Sequence, residues 1–322
     1  MRNIFYILLC VVLFACGKED SLDSQICLDD LYAIQDVPED PVKHEIYNIY
    51  KEYGVPVYFN DTIGKILLKY DKDGNPVYQI EKLDLAWKYS SYEKMNYTYS
   101  YITDKKRQME VLGWIREYLN NADKALYPFC FFIPDSIFRE NLDNDEVIIL
   151  EDLYLLGFRS LTMIGGNWKS GNEQKNLVNM KRSMVVQKIN NFSNDLIDFK
   201  KVTDDNSYGH KYWNEVSDLI PKYYKCDVLD PEYAGRWTGE ALRAKQVEAR
   251  GYIGPLGFVM GAEMGNGLFT PWDKDEDIKC YVKVMLATPD TTFRKQWGIY
   301  PLVMEKYEVL YQIITEKLGV EL

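Results

Sequence analysis

The spacing of apolar residues changes along this chain, and that change limits its fold more than any other feature of the sequence. In the first half, β-branched and aromatic residues form short alternating segments, such as Val55 to Phe59 and Lys65 to Tyr70. From about residue 179 onward, apolar residues recur at the three- and four-residue intervals of helices. The sequence therefore predicts an α+β fold, with a mixed N-terminal sheet and helices followed by a mainly helical C-terminal half.

Individual elements follow from the same patterns. Gly54 is predicted to end a first helix that reaches Tyr53, and the polar residues Asp71 to Asn75 predict the turn of a β-hairpin. Further helical spacing occurs over Lys105 to Leu119, Val185 to Leu196, Trp213 to Tyr224, Asp275 to Leu286 and Tyr300 to Leu318. The remaining predictions are buried strands over Tyr127 to Ile133 and Val147 to Leu150, one strand within Gly157 to Gly166, and a glycine-rich loop from Gly251 to Gly267.

The first sixteen residues have the pattern of a lipoprotein signal peptide. Arg2 gives a positive start, and the apolar run from Ile4 to Phe14 has 11 residues, which is too short for a membrane-spanning helix. Leu13 to Cys16 resembles a lipobox, so residues 1–15 are predicted to be removed and Cys16 to carry the acyl chains that anchor the protein. An ordinary signal peptide followed by a chance cysteine is the alternative.

The residues after Cys16 bear on location and domain organisation. Lys18 to Asp20 resembles the acidic export tag of cell-surface lipoproteins in outer-membrane import systems of the SusC/SusD kind. We therefore expect a lipid-anchored outer-membrane protein that faces the cell exterior. Residues 16–41 are predicted to be a tether, and residues 42–322 a single domain with an N-terminal lobe of about 42–178 and a C-terminal lobe of about 179–322.

Net charge argues against nucleic acid as a partner. The whole chain has 38 basic and 49 acidic residues and a formal charge of −11. Removal of residues 1–15 takes away Arg2 and no acid, which leaves 37 − 49 = −12. Such a field repels a polyanion.

The cysteines give no motif for zinc or redox chemistry. Cys10 belongs to the signal peptide and Cys16 to the anchor. The other four lie far apart, without a CxxC pair: Cys27, Cys130, Cys226 and Cys280. They allow three complete disulfide pairings, among which the sequence does not choose, and buried thiols are the favoured interpretation.

Short motifs over most of the mature chain match one known family. They are Tyr53 to Tyr58, Tyr208 to Trp213, Gly257-Phe258-Val259, Asp275 to Ile278, Tyr300-Pro301-Leu302, Lys306-Tyr307 and Lys317 to Leu322. In these segments the chain resembles the substrate import-associated zinc metallohydrolase lipoproteins, which accompany SusC/SusD-type importers. The resemblance implies a zincin-like fold and a helix that carries the zinc-binding HExxH motif.

The segment that matches the HExxH helix lacks its ligands. It reads Gln187-Lys188-Ile189-Asn190-Asn191, so amides replace both imidazoles and a lysine replaces the general base. Carboxamides are poor zinc ligands. The only histidines of the chain, His44 and His210, are 210 − 44 = 166 positions apart, so no HExxH occurs anywhere. His44 is interpreted as a surface histidine and His210 as a packing or turn residue.

Other catalytic motifs are also missing from the sequence. It contains no GxSxG, no phosphate-binding GxxxxGK[ST] and no strand-linked GxGxxG. The acidic residues between Asp135 and Glu146 are interpreted as a solvated loop rather than as a glycosidase pair. We therefore expect no catalytic residue, no metal and no cofactor.

These observations predict a catalytically inactive, metallopeptidase-like binding or accessory subunit beside a SusC/SusD-type transporter, with an oligopeptide or a glycan as its ligand. A groove at the position of the lost metal site is predicted to contain Gln187, Lys188, Asn191, Trp213, Glu276 and Asp277. Other loop tryptophans, Trp168, Trp237, Trp272 and Trp297, either line this groove or pack in the core. The alternative is an active metal-dependent peptidase or hydrolase with an unconventional site.

Overall fold

A computed structural model describes residues 32–86, 94–157, 159–169, 171–208, 226–230, 238–261 and 270–322. Contacts divide these residues into two compact units. The first consists of residues 61–84 together with residues 32–35, and the second of residues 36–60 and the described residues from 85 to 322.

The first unit is a β-hairpin. Strand β2 (Thr62–Tyr70) pairs antiparallel with β3 (Pro76–Lys82), with register shifts after Thr62 and after Leu67. The predicted turn is confirmed: Asp71 Oδ1 accepts hydrogen bonds from the backbone amides of Asp73 and Asn75, at 2.9 and 2.7 Å.

The second unit contains two sheets. Its mixed sheet has the order β1-β5-β9-β8, with β1 (Val57–Tyr58), β5 (Phe131–Phe132) and β9 (Leu161–Met163) parallel and β8 (Tyr154–Leu156) antiparallel to β9. The other sheet is antiparallel, with the order β4 (Met95–Tyr101), β6 (Pro134–Asn141) and β7 (Glu146–Ile149).

The helices dominate the second half of the described chain. They are α1 (Pro41–Tyr53), α2 (Lys105–Asn121), α3 (Glu173–Ile189), α4 (Ser193–Val202), α5 (Cys226–Leu229), α6 (Gly239–Ile253), α7 (Lys274–Ala287), α8 (Asp290–Trp297) and α9 (Pro301–Tyr311), which continues as a π-helical segment over Gln312–Lys317. The predicted order of sheets before helices is therefore confirmed. None of the helices in the described ranges combines the length and the apolar content that a membrane span needs.

Helix ends follow local sequence signals. Asp40 accepts a hydrogen bond from the amide of Val42 before Pro41 starts α1, and Gly54 ends this helix with a φ of 74°. Asp273 caps α7 by accepting bonds from the amides of Asp275 and Glu276 at 2.9 and 2.8 Å.

Two hydrophobic clusters meet at α3. Leu177, Met180 and Met184 of this helix pack with α1, α2 and the mixed sheet, whereas Val185 and Ile189 pack with the later helices. The predicted lobe boundary at residue 178 falls within α3. One helix thus contributes to both clusters.

Some predicted elements differ from the structure. The loop predicted from Gly251 is wrong for Gly251 to Ile253, which belong to α6, because Ala249 and Ile253 are buried and a single glycine costs a helix only about 1 kcal/mol. The strand predicted within Gly157 to Gly166 is β9 alone, which pairs with β8 across a turn where Gly157 N donates to Ser160 O.

Two further corrections concern strands. The strand predicted at Val147 to Leu150 exists as β7, but β7 is the exposed edge of its sheet, with Val147 57% and Ile149 59% exposed. Strands β4 and β6 were not predicted, and β6 places Asp135 and Glu140 in a sheet rather than in a loop. The predicted helix at Trp213 to Tyr224 lies outside the described residues.

Candidate functional site

A cleft of about 580 Å³ lies between β8, α3 and α7. We call it the α3–α7 cleft. Its lining consists of Tyr154, Leu156, Asn179, Arg182, Ser183, Val186, Gln187, Asn190, Lys279 and Lys283. The volume is in the range that holds a small molecule or a few residues of an oligomer.

Helical periodicity explains one wall of the cleft. Positions 179, 182, 183, 186, 187 and 190 follow the three- and four-residue spacing that puts side chains on one helix face. The other face of α3 is buried in the two clusters, so the amide, hydroxyl and guanidinium groups of this wall are left facing the cleft.

Hydrogen bonds fix several groups of this wall. The hydroxyls of Tyr154 and Ser183 are 2.9 Å apart, and Gln187 Nε2 donates to the carbonyl of Gly157 at 3.3 Å. Arg182 Nη1 donates to Asn179 Oδ1 at 3.2 Å. Burial raises the pKa of the Tyr154 hydroxyl, so this group stays neutral near pH 7 and serves as a hydrogen-bonding group.

The opposite wall is basic. Lys279 and Lys283 are four residues apart on α7 and line the same side of the cleft. Lys279 Nζ lies 3.3 Å from Glu276 Oε2, and Lys283 Nζ lies 2.6 Å from Asp230 Oδ2, so each ammonium group also has an acid partner. With Arg182 on α3, three cations line the cleft, and in the described part of the chain no carboxylate does.

The predicted groove residues do not come together. Gln187 lines the cleft, but Lys188 and Asn191 do not. Glu276 reaches the cleft only through its ion pair with Lys279. Trp213 lies outside the described residues, as do Cys16, Cys27 and His210.

Asp277 requires a correction. It was expected in the groove, but its side chain is completely buried beneath α7 and faces Lys306 of α9. Its neighbour Glu276 points elsewhere because adjacent helix positions face different directions. The acidic helix start therefore contributes no carboxylate to the cleft lining.

The segment from Gln187 to Asn191, which was predicted to correspond to HExxH, spans the end of α3. Gln187 is within α3, whereas Asn191 belongs to the short 3₁₀ turn Asn190–Phe192 that follows it. Asn190, rather than Asn191, joins Gln187 in the cleft.

The described histidine and the loop tryptophans have other roles. His44 is confirmed at the surface of α1, where Nδ1 lies 2.7 Å from Asp36 Oδ1. Trp168 and Trp297 are core residues, and Trp168 stacks on Trp114 with ring centres 5.4 Å apart. Trp272 is half-buried, and Trp237 lies outside the described residues.

Among the described residues, no group of three His, Cys, Asp or Glu is arranged to hold a metal ion.

Cys130 and Cys280 are buried and retain their thiols. Burial raises the pKa of Cys130 to about 12, and its thiol donates to the carbonyl of Arg159 at 3.1 Å. We expect neither cysteine to react with iodoacetamide at about pH 8 in the folded protein, because the reagent attacks the thiolate. Mass spectrometry of alkylated peptides, before and after unfolding in urea, measures this; rapid modification of the native protein would contradict the burial.

A buried polar cluster, which we call the Lys306 cluster, lies apart from the cleft. Lys306 and Asp277 are both 0% exposed and form an ion pair. Lys306 Nζ also donates to the carbonyl of Gly257 at 3.0 Å, and the Tyr208 hydroxyl donates to Asp277 Oδ2 at 2.8 Å. Aromatic rings surround the ammonium group, with that of Phe258 centred 4.8 Å away.

Burial dominates the ionisation of this cluster. It raises the pKa of Asp277 to about 6, against the opposing effect of Lys306 and Tyr208. Burial lowers the pKa of Lys306, and Asp277 opposes that shift. The ion pair between the two groups opposes both shifts and offsets part of the cost of their burial. The cluster has no access to a ligand, so we assign it a structural role.

The position of Lys306 in the sequence indicates a buried polar cluster. Lys306 stands in a helical stripe with Val303, Tyr307 and Leu310, all of which are buried. A lysine in an apolar stripe needs a buried acceptor.

No protein-family model, curated protein or solved structure matches this chain.

Proposed function

We propose that this protein is a lipid-anchored accessory subunit of a SusC/SusD-type nutrient importer, exposed on the outer membrane, which binds an oligopeptide or glycan in the α3–α7 cleft without cleaving it. The lining of the cleft carries this proposal. The lining offers three cations together with amides and hydroxyls. Among the described residues that line the cleft, no carboxylate is available to act as a general base.

The cleft also favours one kind of ligand. Arg182, Lys279 and Lys283 attract carboxylates, while Asn179, Gln187 and Asn190 donate and accept hydrogen bonds with neutral groups. An acidic oligopeptide or a uronic-acid-containing glycan provides both kinds of partner. Tyr154, Leu156 and Val186 supply apolar contact.

A zincin-like, metal-free scaffold is the fold that we associate with this function. Its support is the sequence resemblance together with a mixed sheet that precedes α3, the helix in which the matching segment begins. An active metal-dependent hydrolase is the rival function. The sequence has two histidines, and they are 210 − 44 = 166 positions apart. The rival function therefore lacks the pair of zinc ligands that HExxH supplies.

Ligand binding can be tested with the two α7 lysines. We expect the K279Q/K283Q double variant to bind acidic oligopeptides or oligogalacturonate at least about tenfold more weakly than the wild type in isothermal titration calorimetry, because two charge-assisted contacts are lost. The matched control is K200Q/K201Q, which removes two lysines from α4, outside the cleft.

Three outcomes would contradict the proposal. They are equal losses in both double variants, no binding across neutral and acidic peptide and glycan panels, and stoichiometric zinc with chelator-sensitive turnover of a peptide mixture. Affinity isolation of the tagged protein from detergent-solubilised outer membranes tests the importer partner, and the mass of the N-terminal peptide tests acylation of Cys16.

A further inference from the structure

The hairpin of β2 and β3 has large apolar side chains exposed on both strands. They are Leu67, Leu68, Tyr70, Tyr78 and Ile80. Tyr70 is 63% and Ile80 52% exposed. Single exposed apolar residues are ordinary, but a group of five on one short hairpin indicates a surface that contacts something else.

Strand register places Leu67, Tyr78 and Ile80 on one face. Leu67 pairs with Tyr78, and Lys65 pairs with Ile80, so alternation puts these four on the same side. The Nζ of Lys65 lies 4.1 Å from the centre of the Tyr78 ring, which agrees with this arrangement.

The rest of the face follows from the bulge. Tyr70 pairs with Pro76, which is two residues from Tyr78 and therefore on the same side. The register shift between Leu67 and Lys69 makes Leu68 the extra residue of a bulge. We call the surface formed by Leu67, Tyr70, Tyr78 and Ile80 the hairpin face. Two strands alone have little core of their own, so a surface that covers this face also stabilises the hairpin.

The chemistry of the hairpin face fits a lipid surface. Aliphatic side chains flanked by tyrosines suit the boundary between acyl chains and head groups. The two strands carry three lysines, Lys65, Lys69 and Lys82, against one acid, Glu81, and Lys82 is paired with Asp61 at 3.0 Å. The turn adds Asp71, Lys72 and Asp73, and the Asp71 carboxylate is occupied by amides of the turn.

The chain also connects this hairpin to the predicted anchor. The hydroxyl of Tyr32 donates a hydrogen bond to the carboxylate of Glu81 on β3. Residues 17–31 are the only residues between Cys16 and Tyr32, and this linker spans at most about 50 Å when fully extended. An acylated Cys16 would therefore hold Tyr32, and with it the hairpin, within about 50 Å of the bilayer.

We propose that the hairpin face lies against the lipid bilayer into which the acyl chains of Cys16 insert, so that the protein has a second, non-covalent contact with its membrane. This inference rests on the lipid anchor of the proposed function. The bilayer contact adds to the affinity of the acyl chains and orients the hairpin at the membrane.

Co-sedimentation with vesicles of phosphatidylethanolamine and phosphatidylglycerol tests this contact without the anchor. The test protein is the full mature chain with the substitution Cys16→Ser. We expect measurable partitioning, which the additional pair L67S/I80S lowers by about tenfold or more, because two aliphatic side chains no longer enter the lipid. The matched control is V147S/I149S, which removes two exposed aliphatic residues from the edge strand β7.

The outcomes separate this inference from the proposed function. Equal partitioning of the L67S/I80S protein and its parent, or an equal loss in the β7 control, would overturn the bilayer contact. Loss of co-isolated outer-membrane proteins in L67S/I80S, with partitioning unchanged, would assign the hairpin face to a protein partner instead. An unmodified Cys16 in the native protein would overturn the anchor, while the vesicle result would still report on the hairpin face alone. Circular dichroism spectra confirm that each variant is folded.

Discussion

Replacement of Lys306 by methionine should lower the free energy of unfolding by about 3–5 kcal/mol at neutral pH. The substitution removes the ammonium group and leaves Asp277 as a completely buried carboxylate whose remaining hydrogen bond comes from Tyr208. Methionine has a similar length and flexibility, so the loss reflects charge more than volume. Urea denaturation followed by tryptophan fluorescence measures the change.

The double variant K306M/D277L is the control for this prediction. Apolar residues in place of both charges remove the unpaired carboxylate, so most of the lost stability should return. A double variant as unstable as K306M would show that the defect comes from packing rather than from charge.

The K306M defect should also depend on pH. Burial already raises the pKa of Asp277 to about 6 in the presence of Lys306, which lowers it, so the pKa in K306M lies higher still. The folded variant then binds a proton more readily than the unfolded chain, whose carboxyl has a pKa near 3.9. Its free energy of unfolding should therefore increase, relative to that of the wild type, as the pH falls from about 8 to about 5. A constant difference across this range would contradict the assignment.

Replacement of Gly257 by alanine should destabilise the protein by about 2–4 kcal/mol. Gly257 has a φ of 82°, and an added Cβ would lie 2.6 Å from Thr203 Oγ1 and 3.1 Å from Leu302 Cβ. The left-handed backbone alone costs a non-glycine residue about 1–2 kcal/mol. The clash adds to this cost and displaces the carbonyl that accepts from Lys306 and Tyr281.

Gly54→Ala is the matched substitution, because Gly54 has a φ of 74° and its added Cβ would meet no atom within 4 Å. It should show the backbone cost alone, about 1–2 kcal/mol in the same urea titration. Equal losses at the two positions would show that the close approach to Thr203 and Leu302 contributes nothing.

Local sequence signals predicted the elements that local interactions determine. Gly54 ends α1, and Asp71 to Asn75 form the hairpin turn, because capping and turn chemistry act over a few residues. Strand β4 was missed although Tyr97, Tyr99 and Tyr101 alternate with polar residues, which is the pattern of a half-buried strand that pairs, here with β6.

The residues of the cleft also divide into one that a local motif predicted and others that depend on long-range packing. Gln187 was predicted to contact a ligand, and it does line the α3–α7 cleft. Lys279 and Lys283 were not predicted, because their position opposite α3 depends on how α7 packs, which no short motif encodes. Asp277 was misplaced for a related reason: its partner Lys306 is 29 positions away in sequence.

Because α3 contributes to both hydrophobic clusters, a ligand bound in the α3–α7 cleft should stabilise the whole second unit. Met184 and Val185 are neighbours in sequence, yet each belongs to a different hydrophobic cluster. Local melting of α3 would expose apolar surface in both clusters at once, which opposes their separate unfolding and favours a single cooperative transition. A compound that binds in the cleft against α3 should therefore raise the melting temperature of the whole second unit. A thermal-shift assay can thus detect a ligand of the cleft before its chemical identity is known.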